Sequence, residues 1–226
     1  MDERVEAKMQ TVTRKEKTVI LSNKTLMSFV GILIISIGEA FLKAANLGMD
    51  PFTGLNLGAS KLLGMGLGNF QLIINLVLFV FVVFANYRMI GIGTVLNMVL
   101  VGYEIQFFSG IYTSLFGTIT SLPLQLINAI VGLLIFSFGA SMYMSANLGM
   151  APYDGIAPII TNWTKIRYRV IRVIQDVAFM VAAYLVGGPI GFVTIIIAFF
   201  TGPLIEFWSE HVNEKLLNKI ESYRAK

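Results

Sequence analysis

The chain alternates between long apolar stretches and short polar ones. A helix that spans a membrane needs roughly 20 mostly apolar residues, and six stretches reach that length. They cover about 25–45, 68–86, 90–112, 123–145, 170–187 and 189–211. Two shorter apolar segments, about 52–65 and 153–164, are broken by polar residues, glycine or proline, as in helices that re-enter a membrane or lie at its surface. The pattern predicts an all-α polytopic membrane protein with six transmembrane helices and two short broken helices.

The sequence also repeats itself. Residues 31–55 and 132–156 are identical at 12 of 25 positions, and both contain the string NLGMxP. We interpret the chain as a duplicated unit of one span, a short broken or re-entrant helix after the NLGMxP motif, and two further spans. Because three is an odd number, the two three-helix repeats are predicted to be inverted relative to each other. If the short helices crossed the membrane, there would instead be eight spans and parallel repeats.

The basic residues indicate the orientation of the six spans. With the N-terminus inside the cell, 15 of the 17 lysine and arginine residues fall on the cytoplasmic side and the loop 113–122 has none, which fits the positive-inside rule. Lys43 and Lys61 are the exceptions, and eight spans would also place Arg88 outside. The predicted order is a cytoplasmic tail (1–24), a first membrane repeat (25–112), an outer loop (113–122), a second membrane repeat (123–211) and a cytoplasmic amphipathic tail (212–226).

Composition agrees with a lipid environment and excludes several function classes. The chain is 56% hydrophobic and 13% charged, whereas soluble domains carry about 25% charged residues. Its net charge of +4 lies in clusters between apolar stretches, which argues against nucleic-acid binding. With no cysteine and one histidine, disulfides and Cys/His metal sites are not expected. No zinc-protease, serine-hydrolase or phosphate-loop motif is present, so we predict neither an enzyme nor a cofactor.

The two motifs are predicted to break a helix and to start a new one. Asn46 suits the left-handed conformation that ends a helix, Asp50 is a good N-cap, and Pro51 is favoured at the first helical position. The second copy keeps Asn147 and Pro152 but has alanine at the cap position. A helix N-terminus attracts anions or carboxylates, and paired broken helices in inverted halves are typical of transporter binding sites. The alternative is a packing turn that merely ends a helix.

Ionisable residues within the spans are the second candidate feature, because they are costly in lipid and usually face a cavity or a partner. Asp176 and Glu104 are candidates for coupling to a proton or another cation. Asp176 could instead pair with Arg172, four residues earlier, and Glu39 with Lys43 at the same spacing. The predicted substrate-binding residues are Asn46, Asp50, Pro51, Thr53, Asn75, Glu104, Gln106, Asn147, Pro152, Asp154, Asp176 and Glu206.

Four strings carry a resemblance to a known family. They are AANLGMDPF (44–52), GLG (66–68), GIGTVLN (91–97) and, as the second copy, SANLGMAPYDG (145–155). On these strings the sequence resembles the YczE/YyaS-like bacterial membrane proteins, which are distantly akin to the YitT group. The resemblance covers about residues 25–210 and implies a multi-pass protein of the bacterial cytoplasmic membrane, but it supplies no substrate. The sequence departs from the family pattern where Phe52-Thr53 replaces the aromatic-Asp pair.

The leading hypothesis is a secondary transporter that moves a small molecule by alternating access. Its partners would be the lipid bilayer, an unidentified substrate and a coupling proton or cation. One alternative is a substrate-capturing subunit of an energy-coupled importer. Another is a scaffold or assembly factor that offers the faces of Gly31/Gly38 and Gly132/Gly139 to partner helices. A scaffold should have a packed interior without a polar cavity.

Overall fold

The protein, described by a computed structural model over residues 14–222, is helical throughout most of that range. The helices are α1 (Arg14–Ala45), α2 (Pro51–Leu62), α3 (Leu67–Asn86), α4 (Ile92–Phe116), α5 (Leu122–Ser145), α6 (Pro152–Thr164), α7 (Tyr168–Leu185), α8 (Phe192–Trp208) and α9 (Glu214–Ser222). A 3-10 turn follows α3 and a π-helical turn follows α8. All eight apolar segments predicted from the sequence are therefore helical.

The structure describes part of each predicted tail. Helix α1 begins at Arg14, so residues 14–24 of the predicted tail 1–24 are helical and continue into the first span. The Lys24 Nζ atom lies 2.7 Å from a carboxylate oxygen of Glu221, which links α1 to α9. The predicted amphipathic helix after residue 212 is present as α9, while residues 1–13 and 223–226 lie outside the described residues.

Five stretches within residues 14–222 are long and apolar enough to cross a membrane, which makes the chain a multi-pass membrane protein. They are Lys17–Ala45, Leu67–Met89, Ile92–Phe116, Leu122–Ser145 and Phe192–Glu221. Helix α7, the remaining predicted span, has 18 residues and carries three charged ones, Arg169, Arg172 and Asp176. Helices α2 and α6 have 12 and 13 residues. At 1.5 Å per residue they are about 20 Å long or less, shorter than the roughly 30 Å of a hydrocarbon core.

Helices α1 and α5 form the central antiparallel pair of the bundle. A Cβ atom added to Gly31 would lie 2.6 Å from the backbone nitrogen of Tyr143, and one added to Gly38 would lie 2.5 Å from that of Phe136. The residue numbers fall in α5 as they rise in α1, so the two helices run in opposite directions. Close backbone approach of this kind requires glycine at the contact.

The same contacts recur from the other side of the pair. A Cβ atom added to Gly132 would lie 3.0 Å from the backbone nitrogen of Leu42, and one added to Gly139 would lie 2.5 Å from that of Ile35. Each of these contacts is the counterpart of one in the previous set, shifted by 101 residues. The four glycines thus face each other across α1 and α5 and are not available to partner helices.

Each NLGM turn is held by the opposite half of the chain. Asn46 and Asn147 adopt the predicted left-handed conformation, with φ angles of 54° and 52°. The Leu47 carbonyl then accepts a hydrogen bond from the Val193 N–H at 3.1 Å, while the Leu148 carbonyl accepts one from Gly93 at 2.8 Å. The first motif is therefore anchored at the start of α8, and the second at the start of α4.

Two buried threonines stabilise the starts of α4 and α8. The Thr94 hydroxyl accepts a hydrogen bond from the Gly91 N–H at 3.1 Å, and the Thr194 hydroxyl accepts one from Gly191 at 3.2 Å. Both side chains are fully buried. The hydroxyls also pack closely against the motif glycines. A Cβ atom added to Gly149 would clash with the Thr94 hydroxyl, and one added to Gly48 would clash with the Thr194 hydroxyl. The threonines therefore link the starts of these helices to the motif turns.

We expect Thr194→Val to lower the free energy of unfolding by about 1–2 kcal/mol, because the buried Gly191 N–H loses its acceptor. Denaturant unfolding of the purified protein in detergent measures the change. The control is Thr201→Val, which removes a hydroxyl that has no partner among the described residues and should leave stability nearly unchanged. Equal losses in the two variants would contradict this role for Thr194.

Candidate functional site

A cavity of about 420 Å³ lies between the two halves of the chain. Both motifs reach it, the first through residues 50–53 and the second through Ala151, Tyr153 and Asp154. The remaining walls come from α1, α3, α4, α5, α7 and α8. The polar side chains that line the cavity are Glu39, Asp50, Thr53, Gln71, Asn97, Tyr143, Tyr153, Asp154, Tyr168, Arg169, Arg172, Asp176, Thr201 and Glu206.

The two short helices begin in different ways at this cavity. Asp50 caps α2 as predicted: its Oδ1 atom accepts hydrogen bonds from the backbone N–H groups of Phe52 at 3.1 Å and Thr53 at 3.0 Å. Pro51 occupies the first helical position. Pro152 does the same in α6, but no side chain of the described residues caps that helix, and Asp154 lies in its first turn.

The beginnings of α2 and α6 meet although the motifs start far apart. Because Gly31 lies opposite Tyr143 in an antiparallel pair, the ends of α1 and α5 are separated by about 20 Å along the helix axes. The rings of Phe52 and Tyr153 nevertheless stack with centroids 4.6 Å apart, and Phe179 of α7 packs against both rings. Each motif therefore leads the chain back into the bundle toward the other one.

The second motif contributes a charged network that is fully paired. Arg172 donates to Asp154 at 2.8 Å from Nη1 and lies 3.3 Å from Asp176 through Nε. The Tyr153 hydroxyl donates to Asp176 at 2.5 Å, and the Arg172 guanidinium stands over the Tyr153 ring at 4.9 Å. The pairing of Asp176 with Arg172 that their spacing allows is thus present. Here one arginine pairs with two carboxylates. These three groups together carry one net negative charge, and each of them has a charged partner.

The first motif presents the opposite situation. Glu39 is only 1% exposed, and neither of its carboxylate oxygens receives an N–H or O–H donor from the described residues. The Oδ2 atom of Asp50 is also buried without such a donor. The alternative pairing of Glu39 with Lys43 is absent among the ion pairs of residues 14–222.

Half of the predicted binding residues line the cavity. The structure brings together Asp50, Pro51, Thr53, Asp154, Asp176 and Glu206. Asn46 and Asn147 lie in the turns before the short helices, and Pro152 starts α6; all three shape the motifs without lining the cavity.

The other three predicted residues point elsewhere. Asn75 is buried in α3 at 1% exposure, and Glu104 accepts a hydrogen bond from the Ser36 hydroxyl at 3.0 Å. Gln106 accepts one from the Gly68 N–H at 3.4 Å and faces a separate groove beside Tyr103. These three residues do not line the cavity, and a role for them in substrate binding stays a prediction.

The predicted binding residues did not include nine polar residues of the cavity: Glu39, Gln71, Asn97, Tyr143, Tyr153, Tyr168, Arg169, Arg172 and Thr201. Alignment of the two repeats indicates some of these residues, because their counterparts in the other repeat have a different side chain. At the offset of 101, Glu39 and Asp50 correspond to Ala140 and Ala151, while Gln71 corresponds to Arg172. The chemistry of the cavity is concentrated where the two copies differ, whereas the identical positions form the turns and the helix contacts.

The sequence matches a model of a protein family over most of its length. Residues 22–210 match the model described as "Family of unknown function (DUF6198)". The chain is 31% identical over 180 residues, 79% of this chain and 82% of the relative, to "Uncharacterized membrane protein YczE" of Bacillus subtilis. It is 28% identical over 197 residues, 84% of this chain and 94% of the relative, to "Uncharacterized protein YyaS" of the same organism.

A third relative comes from another organism. It is an "Uncharacterized protein" of Haemophilus influenzae, 27% identical over 176 residues, which cover 77% of this chain and 78% of that protein. No solved structure matches the chain. The resemblance to the YczE/YyaS-like proteins is confirmed, and the chain belongs to the family of unknown function DUF6198.

Proposed function

We propose that this protein is a secondary transporter that moves a small molecule across the bacterial cytoplasmic membrane by alternating access. The observation that carries the proposal is a polar cavity lined by the starts of both broken helices and by both halves of the chain. Its volume of about 420 Å³ lies within the range of roughly 300–1,000 Å³ that small-molecule sites occupy. The substrate would bind there, between the two motifs.

Inverted repeats and six spans are part of the same proposal. If α2 stays on one side of the membrane, α3 and α4 are the only spans between α1 and α5, so α1 and α5 must run in opposite directions. If α2 crossed, they would run in the same direction. Their antiparallel contacts at Gly31 and Gly38 support six spans, and the recurrence of those contacts at a shift of 101 residues supports an inverted duplication.

Helix α7 would be the sixth span despite its charges. Arg169, Arg172 and Asp176 face the cavity, while Ile174 and Val181 on α7 are 58% and 52% exposed. Such a helix presents polar groups to the interior and apolar ones to lipid, as intramembrane ionisable residues require. The short helices α2 and α6, anchored at opposite ends of the α1–α5 pair, would then close the cavity alternately from the two sides.

A non-transporting scaffold fits less well. Its interior should be packed and dry, whereas this interior holds a polar cavity, and the glycine faces that would receive partner helices are occupied by α1 and α5 themselves. An importer subunit that only captures its substrate would open the cavity to one face of the membrane, whereas alternating access opens it to both faces. That difference determines the experiment.

The test exploits the absence of cysteine from the chain. A single cysteine replaces Ala198, which lines the cavity, and a membrane-impermeant thiol reagent is applied to each face of sealed vesicles in turn. We expect labelling from both faces, because alternating access opens the cavity to each side. Labelling from one face only would indicate static capture, and labelling from neither would favour the scaffold.

Two exposed loop positions serve as controls for the same experiment. A cysteine at Thr118, between α4 and α5, should react only from outside, and one at Ile166, between α6 and α7, only from the cytoplasmic side. These results would support six spans with both termini in the cytoplasm. Reaction of both loops from the same face would contradict the inverted topology.

A further inference from the structure

The Glu39–Asp50 pair differs from the charged network of Asp154, Arg172 and Asp176 at the other motif. Glu39 is 1% exposed, and both of its oxygens, together with Oδ2 of Asp50, lack an N–H or O–H donor in the described part of the chain. Asp50 uses its other oxygen, Oδ1, to cap α2. Three buried acceptor atoms therefore belong to two residues that line the cavity. Buried acceptors without donors are costly, so this group is suited to a ligand that donates hydrogen bonds.

The pair also has no ion-pair partner among the described residues. Two arginines line the cavity: Arg172 is already engaged by Asp154 and Asp176, and Arg169, like Lys43, forms no ion pair with Glu39 or Asp50 in the described part of the chain. The acids are not relics of the duplication, because their repeat counterparts are Ala140 and Ala151. A cationic ligand would supply both the missing charge and the missing donors.

Building on the transporter function proposed above, we propose that Glu39 and Asp50 bind the ammonium group of a small organic amine. The ammonium donates N–H bonds to both carboxylates, as the Arg172 guanidinium does to Asp154 and Asp176. The single positive charge of the ammonium compensates one of the two negative charges of the carboxylates.

The walls of the cavity define the rest of the ligand. The rings of Phe52, Tyr153, Tyr143 and Phe136 line the cavity together with the acids, and aromatic faces attract cations and apolar bodies. A quaternary ammonium carries no N–H group and would leave the acceptors unpaired. A metal ion is not favoured, because the described residues contain no group of three or more His, Asp or Glu side chains arranged to hold one. The ligand class is thus a protonated primary or secondary amine with an apolar body.

The experiment measures binding to the purified full chain in detergent. A panel of primary amines headed by 2-phenylethylamine is compared with its N,N,N-trimethyl analogue, with 2-phenylethanol and with sodium chloride. At a concentration 100 times Kd, a binding amine should raise Tm by about 5–10 °C. The trimethyl analogue, the alcohol and sodium chloride should leave Tm unchanged.

Matched variants assign the effect to the acid pair. Glu39→Gln and Asp50→Asn should each abolish the Tm rise. Asparagine retains an oxygen that caps α2, so Asp50→Asn should keep the unliganded Tm close to that of the parent chain, which separates lost binding from lost folding. Glu210→Gln, which removes an exposed carboxylate after α8, should respond to amines as the parent does.

Several outcomes would overturn the inference. These are failure of every amine in the panel, an equal response to the trimethyl analogue or to sodium, and an undiminished response in Glu39→Gln. The result is distinguishable from that of the transport test. Amine binding with cavity labelling from one face only would keep the acid site and remove transport, while labelling from both faces without amine binding would do the reverse.

Discussion

Gly38→Leu is expected to lower the free energy of unfolding by at least about 3 kcal/mol, because α1 and α5 can no longer approach each other. A Cβ atom at this position would lie 2.5 Å from the backbone nitrogen and 2.7 Å from the Cα atom of Phe136. Backbone atoms within a helix cannot move aside as a flexible side chain can. The helices must therefore separate, and the cavity that they enclose loses a wall.

The measurement is Tm together with the monodisperse fraction after extraction from the membrane. Gly110→Leu is the matched control, since it adds the same side chain to α4 at an exposed glycine. A Cβ atom added there would have no atom from a neighbouring part of the structure within 4 Å. Gly139→Leu, at the mirror position, should behave as Gly38→Leu does. If Gly38→Leu and Gly110→Leu had the same Tm, the close α1–α5 contact would be wrong.

Arg172→Met is expected to destabilise the fold by about 2–3 kcal/mol. Removal of the guanidinium leaves Asp154 and Asp176 facing each other in the cavity without a counter-charge, which is costly in a buried site. The Arg172 side chain is 29% exposed and Asp176 only 8%, so the effect should be smaller than the 3–5 kcal/mol typical of a fully buried pair. The apolar methionine chain preserves most of the side-chain volume.

A combined variant tests whether charge is the cause. Arg172→Met with Asp154→Asn and Asp176→Asn removes all three charges and should recover most of the lost stability, because no carboxylate then remains without compensation. Denaturant unfolding of the parent, the single variant and the triple variant gives the comparison. A triple variant as unstable as Arg172→Met would mean that packing by the arginine, and not its charge, stabilises this region.

Local chemistry explains which parts of the fold could be predicted from the sequence. The length of the apolar stretches located the helices, and the identities of Asn46, Asp50 and Pro51 predicted the turn, the cap and the helix start that the structure contains. These features depend on residues within one turn of each other. The stacking of Phe52 on Tyr153 joins residues 101 positions apart, and no local pattern specifies such a contact.

The site was harder to predict than the fold for a related reason. Glu104 is predicted from the rule that ionisable groups in apolar spans usually face a cavity, yet it does not line the cavity. Arg172 was counted with the cytoplasmic basic cluster because it follows three other basic residues, Lys165, Arg167 and Arg169. A helix turns each successive residue by about 100°, so a shift of one residue in depth or phase moves a side chain from cavity to lipid.

The crossed anchoring of the two motifs has a consequence for biosynthesis. The turn at Leu47 finds its hydrogen-bond donor at Val193, which leaves the ribosome nearly 150 residues later. Helix α1 is likewise synthesised before α5, the helix that packs against Gly31 and Gly38. Until α8 has been inserted, the turn at Leu47 lacks this hydrogen-bond donor. Membrane quality control that recognises polar groups in lipid would therefore detect a chain that stalls before α8.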